Sequence, residues 1–213
     1  MKTVLVEGSS TAYGAGAGSY GGWAAALHRD SLALNDRDRL NPQVVTNLSM
    51  PGLTLIAVNK IFNGMRERFR YVPDHSLVRI LAVGQIESTI PPERTRPIIT
   101  LGRFARELVV YSEESHAAGA QTLYVGPQMA DESVEMPGRW TIENDLTEEY
   151  AGLVRFTAQD TGSTYIDVAR LFADNAPEGE LLADGRHPNA RGHQLIYSAV
   201  ALELEALGFL RPE

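Results

Sequence analysis

The stretch VLVEGSSTAYGAG, Val4 to Gly16, leads from an apolar run through two adjacent serines into a glycine-rich segment. Its first residues have the β-branched composition of a strand, and Gly8 punctuates the run where a turn is needed. The serines suit a nucleophile, a turn or a phosphate cradle. What surrounds the stretch decides among these.

The same unit of strand, loop and helix recurs along the chain. TVLVE at 3–7, QVVTN at 43–47, LVRILAV at 77–83, TLYV at 122–125 and TYIDV at 164–168 read as five strands. Between the third and fourth, Leu101, Phe104, Ala105, Leu108 and Ser112 recur at the spacing of an amphipathic helix, and Gly119 is placed to end it. Asn189 suits the N-cap of a last helix with Leu195, Ala199, Leu202 and Ala206 as its buried stripe and Gly208 at its exit. Further helices fit 23–34, 54–69 and 144–159. Strands apolar on both faces, alternating with helices, predict an α/β fold: a mainly parallel five-stranded sheet covered on each side. Ligands of such sheets bind beyond the carboxyl ends of the strands, so chemistry is sought in the loops at 8–22, 48–52, 84–96, 126–140 and 184–189.

The 213 residues fit one domain, 1–213, and 44% hydrophobic with 22% charged residues is an ordinary globular composition. A net charge of −8, with only scattered arginines such as Arg94, Arg96, Arg103 and Arg106, predicts no nucleic-acid partner. Having no cysteine, the chain has no disulfide, thiolate metal site or cysteine nucleophile. The apolar run at the N-terminus is too short for a signal peptide or membrane span, so no membrane association and a cytoplasmic location are expected.

The phosphate cradle can be tested. GAGSYG, Gly16 to Gly21, fits G-x-G-x-x-G, but dinucleotide binding needs the first glycine at the turn leaving the strand, and Gly16 lies well beyond Glu7. The second strand ends in Val45, Thr46 and Asn47, with no acid for a ribose hydroxyl. The loop instead reads as a pliable lead into the helix near Trp23.

An activated serine needs a base within reach and a third group to orient that base. DGRHPNA supplies both: Asp184 and His187 are three apart, so one turn can set the carboxylate against one imidazole nitrogen while the other faces outward. This segment follows the fifth strand and Ser10 follows the first, which puts both on one rim of a parallel sheet. A lone D-x-x-H also suits a helix cap, a polar contact or a metal ligand. His28, His75, His116 and His193 show no paired ligand spacing with His187, so no metal is expected.

GSSTAYG, NLSMPGLT, LAVGQIES and DGRHPN, in that order, resemble the four sequence blocks of the SGNH hydrolases, or GDSL esterases and lipases. The resemblance runs from Val4 to about Ala206. It implies a three-layer α/β/α, flavodoxin-like fold and ester hydrolysis through an acyl-enzyme, without cofactor. It also implies Ser10 as nucleophile, His187 as general base, Asp184 as its orienting acid, and the N–H groups of Ser10 and Gly52 as oxyanion donors. Two positions depart from the family pattern. Ser9 replaces the aspartate of Gly-Asp-Ser, leaving Ser9 as an alternative nucleophile. Gly84, Gln85, Ile86 and Glu87 stand for Gly-x-Asn-Asp, so Ile86 takes the place of an oxyanion-donating asparagine. Losing such a donor costs about 10² to 10³ in turnover. Gln85 is a candidate substitute, as is Ser88.

Three other features bear on substrate. The loop GPQMADESVEMPGRW, 126–140, has the length of a lid and carries Met129, Met136 and Trp140. Arg94 and Arg96 in PPERTRP, and Arg186 beside the base, have the donor geometry to hold an anion. The expected activity is hydrolysis of a small acyl or acetyl ester, with a small-molecule ester as partner. An acyltransferase on the same scaffold and a catalytically inactive binding domain are the alternatives.

Overall fold

Six of the seven residues of β1 (Lys2–Gly8) are buried, and the strand lies between β2 (Gln43–Asn47) and β3 (Ser76–Ala82). The computed structural model describes residues 2–69, 76–135, 138 and 140–210, of which 64–69 in backbone only. His75 and Met136 lie outside the described residues. β4 (Gln121–Val125) and β5 (Thr164–Ile166) complete the order β2-β1-β3-β4-β5, every neighbouring pair parallel. Strand order reverses between β1 and β3, which opens a crevice beyond their carboxyl ends.

The helices follow as α1 (Ser10–Tyr13), α2 (Trp23–Arg37), α3 (Leu55–Phe69), α4 (Gln85–Ser88), α5 (Leu101–Ala117), α6 (Asn144–Asp160), α7 (Val168–Ala173) and α8 (Ala190–Ala206). Val4, Val6, Val78 and Ile80 face one layer, packing with Trp23 and Leu27 of α2 and Ile196, Val200 and Leu204 of α8. On the other face, Leu81 and Tyr124 pack with Leu55 and Val58 of α3, Phe104 and Leu108 of α5, and Tyr150 and Val154 of α6. Burial of these faces is what makes β1 and β3 mainly apolar on both sides. The three-layer, five-stranded parallel fold is the expected one. No described helix is long and apolar enough to cross a membrane.

Two charges interrupt the apolar strands. Arg79, fully buried, donates from Nε and Nη2 to the two carboxylate oxygens of Glu7 at 2.8 and 2.9 Å, and from Nη1 to Ser115 Oγ at 2.8 Å. Its guanidinium carbon sits 3.4 Å from the ring centre of Phe62 and 3.9 Å from that of Tyr111. Tyr111 Oη–H also donates to Glu7. A two-pronged pair between aromatic faces keeps both charges compensated inside the protein.

The last helices differ from expectation. β5 ends at Ile166 because the Asp167 side chain accepts the Arg170 N–H and caps α7, a helix the sequence reading missed. In α8, Asn189 caps as expected by accepting the Gly192 N–H. Its buried face is Gly192, His193, Ile196, Val200 and Leu204, rather than Leu195, Ala199, Leu202 and Ala206; Leu202 is exposed. Apolar residues occupy both faces of this helix, so periodicity alone leaves its rotation undetermined.

Candidate active site

The turn that carries Ser10 begins with a contact only glycine permits. A Cβ on Gly8 would lie 2.2 Å from the Ala82 carbonyl oxygen, where β1 and β3 end side by side. Ser9 is buried, while Ser10 opens α1, a single turn closed by Gly14 in the left-handed region at φ 108°. Asn47 fixes this turn from the end of β2, donating through Nδ2 to the Ala12 carbonyl at 3.1 Å.

The second loop is hung from the first strand: the Met50 N–H donates to the Gly8 carbonyl at 3.2 Å. Met50 to Leu53 then form a β-turn closed by Leu53 N–H to Met50 O, with Pro51 at its second position and Gly52 at its third. Gly52 has φ 77°, the positive value a type II turn demands there. Among the described residues, neither the Ser10 nor the Gly52 N–H has a protein acceptor.

The third element is the tight loop before α8, closed by the Ala183 N–H donating to His187 O at 2.8 Å. Asp184 Oδ1 accepts the His187 N–H at 2.8 Å and the Arg186 N–H at 3.2 Å. Asp184 Oδ2 lies 2.7 Å from His187 Nδ1, and His187 Nε2 lies 2.9 Å from Ser10 Oγ. Partial burial raises the Asp184 pKa, but the hydrogen bonds from the His187 ring and backbone outweigh it and hold the carboxyl below the usual range. An ionised carboxylate only accepts, so Nδ1 carries the proton and Nε2 presents a lone pair to the serine hydroxyl. His187 itself is buried. The structure thus brings Ser10, His187 and Asp184 together, and the imidazole faces Ser10 rather than Ser9.

The glycine loop is a fitted surface. A Cβ on Gly16 would lie 2.4 Å from Pro188 O and 3.1 Å from His187 Cβ, so the loop's missing side chain is space taken by the segment that carries His187. Beneath it, His193 is fully buried, and its Nε2 bonds the Ala15 carbonyl at 2.9 Å. A carbonyl only accepts, so Nε2 bears the hydrogen; Nδ1 has no partner among the described residues. Burial lowers the His193 pKa, and this imidazole is neutral.

At the end of β3, Glu87 joins two loops. Its fully buried carboxylate accepts the Gly84 N–H at 2.8 Å and the Leu55 N–H at 2.8 Å, tying the third block to the start of α3. Burial raises its pKa, against the hydrogen bonds from Gly84 and Leu55. Ile86 is half-buried on α4. The Gln85 amide nitrogen points at two carbonyls, Gln128 O at 3.3 Å and Arg186 O at 3.5 Å. Ser88 Oγ bonds Gln85 O and Thr147.

The remaining candidates divide. Arg186 Nε is 3.3 Å from His187 Nδ1 and 3.9 Å from Asp184 Oδ2. With the Nδ1 hydrogen committed to Asp184, the contact is one of charge with the carboxylate, at the edge of the cluster. Trp140 is partly exposed and lines a separate cavity of about 280 Å³ with Ala130, Val134 and Ile142. Arg94 is exposed on a turn closed by its own N–H to Pro91 O. Among the described residues, no hydrogen bond joins Trp140 or Arg94 to Ser10, His187 or Asp184. Nor does any described group of three or more His, Asp or Glu side chains have the arrangement of a metal site.

The fold is shared with known proteins. The profile of the GDSL-like lipase/acylhydrolase family matches residues 7–195. A lipase/acylhydrolase from Enterococcus faecalis superposes with a TM-score of 0.71 at 21% identity, covering 100% of this chain and 99% of that one. An acetyl-xylooligosaccharide esterase variant from Geobacillus gives 0.64 at 19% identity, covering 97% and 94%. The psychrotrophic esterase EstA from Pseudoalteromonas gives 0.64 at 17%, covering 96% and 97%. A search of curated sequences finds no match. With the profile spanning most of its length, the chain belongs to the GDSL-like lipase/acylhydrolase family and is a serine hydrolase of the SGNH type.

Proposed function

We propose that the protein hydrolyses small acyl or acetyl esters through an acyl-enzyme on Ser10. The single observation that carries this reading is the hydrogen-bonded line from Asp184 Oδ2 to His187 Nδ1 at 2.7 Å and from Nε2 to Ser10 Oγ at 2.9 Å. Nε2 takes the hydroxyl proton as Oγ attacks the ester carbonyl, forming a C–O bond and a tetrahedral oxyanion. The imidazolium, stabilised by Asp184, returns that proton to the leaving alcohol as the second C–O bond breaks. Water then repeats the sequence on the acyl-enzyme and releases the acid and free Ser10.

The oxyanion is held by the N–H groups of Ser10 and Gly52. Both lack an internal acceptor among the described residues, and the type II turn hung from Gly8 holds Gly52 close to the nucleophile turn. Ile86 contributes no donor. Gln85 contributes one only on releasing its long bonds to Gln128 O and Arg186 O. The preference for acetyl or another small acyl group draws on the acetyl-xylooligosaccharide esterase among the similar folds.

Hydrolysis of p-nitrophenyl acetate by the protein, Ser10→Ala and His187→Ala tests the reading. Each substitution should lower kcat by at least about 10³-fold with the fold intact. Retention of most of the activity by Ser10→Ala would remove Ser10 from the chemistry.

A further inference from the structure

Gln128, in the loop after β4, is buried among residues from three different loops of the site. Its Nε2 lies 2.6 Å from Arg186 O, 3.1 Å from Gln85 Oε1 and 3.1 Å from Thr11 Oγ1. Thr11 follows the proposed nucleophile, Gln85 sits at the oxyanion block, and Arg186 precedes the proposed base. No other described side chain bonds all three.

The orientation of this amide follows from its partners. Arg186 O is an acceptor, so the atom 2.6 Å from it must be a donor; the flipped amide would set two oxygens against each other. With Nε2 thus fixed, Gln85 presents Oε1 to it and turns its own amide nitrogen toward Gln128 O and Arg186 O. One carbonyl sets both glutamines.

That carbonyl belongs to the peptide joining Arg186 to His187. The N–H of the same peptide donates to Asp184 Oδ1 at 2.8 Å. The plane carrying the base is therefore gripped from both sides, by the orienting acid at its N–H and by Gln128 at its C=O. On the third side Gly16 lies against His187 Cβ. Rotation of this plane would swing the imidazole off the Ser10 hydroxyl; from outside the base and nucleophile loops its carbonyl is held by Gln128 at 2.6 Å and, at the longer distance of 3.5 Å, by Gln85.

We propose that Gln128 is a positioning residue: by donating to Arg186 O it fixes the 186–187 peptide and so aims His187 Nε2 at Ser10. The proposal rests on the catalytic reading of Ser10 and His187. Gln128 does not touch the reacting atoms, so its loss should slow the chemical step while leaving substrate affinity nearly unchanged.

The test compares the parent protein with Gln128→Met, which keeps the unbranched shape without a donor, and Gln128→Leu as a second variant. Three quantities are read: kcat and KM on p-nitrophenyl acetate, the rate of Ser10 labelling by a fluorophosphonate, and the far-downfield proton resonance of the Nδ1–H shared with Asp184. Expected are a fall of about ten- to a hundredfold in kcat and in labelling rate, KM within about twofold, and a shifted or broadened proton signal at pH and temperature where the variant remains folded. A folded variant with parental labelling rate and an unchanged downfield proton overturns the proposal. Should Gln128→Leu fail to fold, Gln128→Met decides the matter alone. Failure of the parent to label at Ser10 would instead overturn the catalytic reading beneath it, so the two failures are distinct.

Discussion

Arg79 and Glu7 form a two-pronged ion pair inside the sheet, Glu7 on the strand that leads to Ser10 and Arg79 on its neighbour. Breaking a buried pair strands a charge, whereas replacing both partners does not. Arg79→Met should therefore destabilise the protein by about 3–5 kcal/mol, and the double variant Glu7→Leu with Arg79→Met should recover most of that loss. Urea denaturation of the two single variants and the double one checks this. Additive losses would show that the charges do not act as a pair.

Gly16→Ala should damage catalysis more than another alanine in the same loop. Its Cβ meets Pro188 O and His187 Cβ, whereas a Cβ on Gly18 meets nothing within 4 Å. Both positions have positive φ, 84° and 58°, so both variants carry backbone strain of about 1–3 kcal/mol. Only Gly16→Ala should also lower kcat, since only there does the new atom press on the base. Equal kcat values in the two variants would separate the loop from the catalytic geometry.

The stability of the protein should depend on pH through His193. Its folded pKa lies below the ordinary value of 6.5, so the unfolded chain binds the proton first as pH falls. The contribution of the neutral buried imidazole is complete above that value and is lost as pH falls through it toward the folded pKa. The melting temperature should decline over this window, and His193→Gln should flatten the decline. An equal slope in the variant would assign the effect to another group.

The oxyanion site offers a gain-of-function prediction. If Ile86 stands where the family carries its donating asparagine, Ile86→Asn should raise kcat on a simple ester, by up to about 10²-fold. Steady-state kinetics on the folded variant would check it. An unchanged or lower rate would mean that two backbone donors, or a released Gln85, already suffice.

Layer order and site loops were legible because β-branched runs and helical periodicity report burial directly, and because the Asp184–His187 spacing and Ser10 mark the three side chains that the structure brings together. Other features depend on tertiary contacts. The rotation of α8 was hidden because Leu195 and Leu202 look as apolar as Ile196 and Val200. Asp167 was read into a strand since its capping role exists only once Arg170 turns back toward it. Arg79 sat within an apolar run with nothing local to announce Glu7, 72 residues earlier. Gln128 lay in a loop whose length suggested a lid, and no spacing rule links it to Arg186. The glycines of 14–22 invite a flexible reading, but Gly16 is a packing contact against Pro188 and His187.

In the proposed chemistry His187 activates Ser10 and no other serine. Labelling with a fluorophosphonate, followed by intact-mass measurement and peptide mapping, tests it most directly. One adduct is expected, on Ser10, absent from Ser10→Ala and formed at least about 10³-fold more slowly in His187→Ala. An adduct on Ser9, or labelling of His187→Ala at the parental rate, would contradict it.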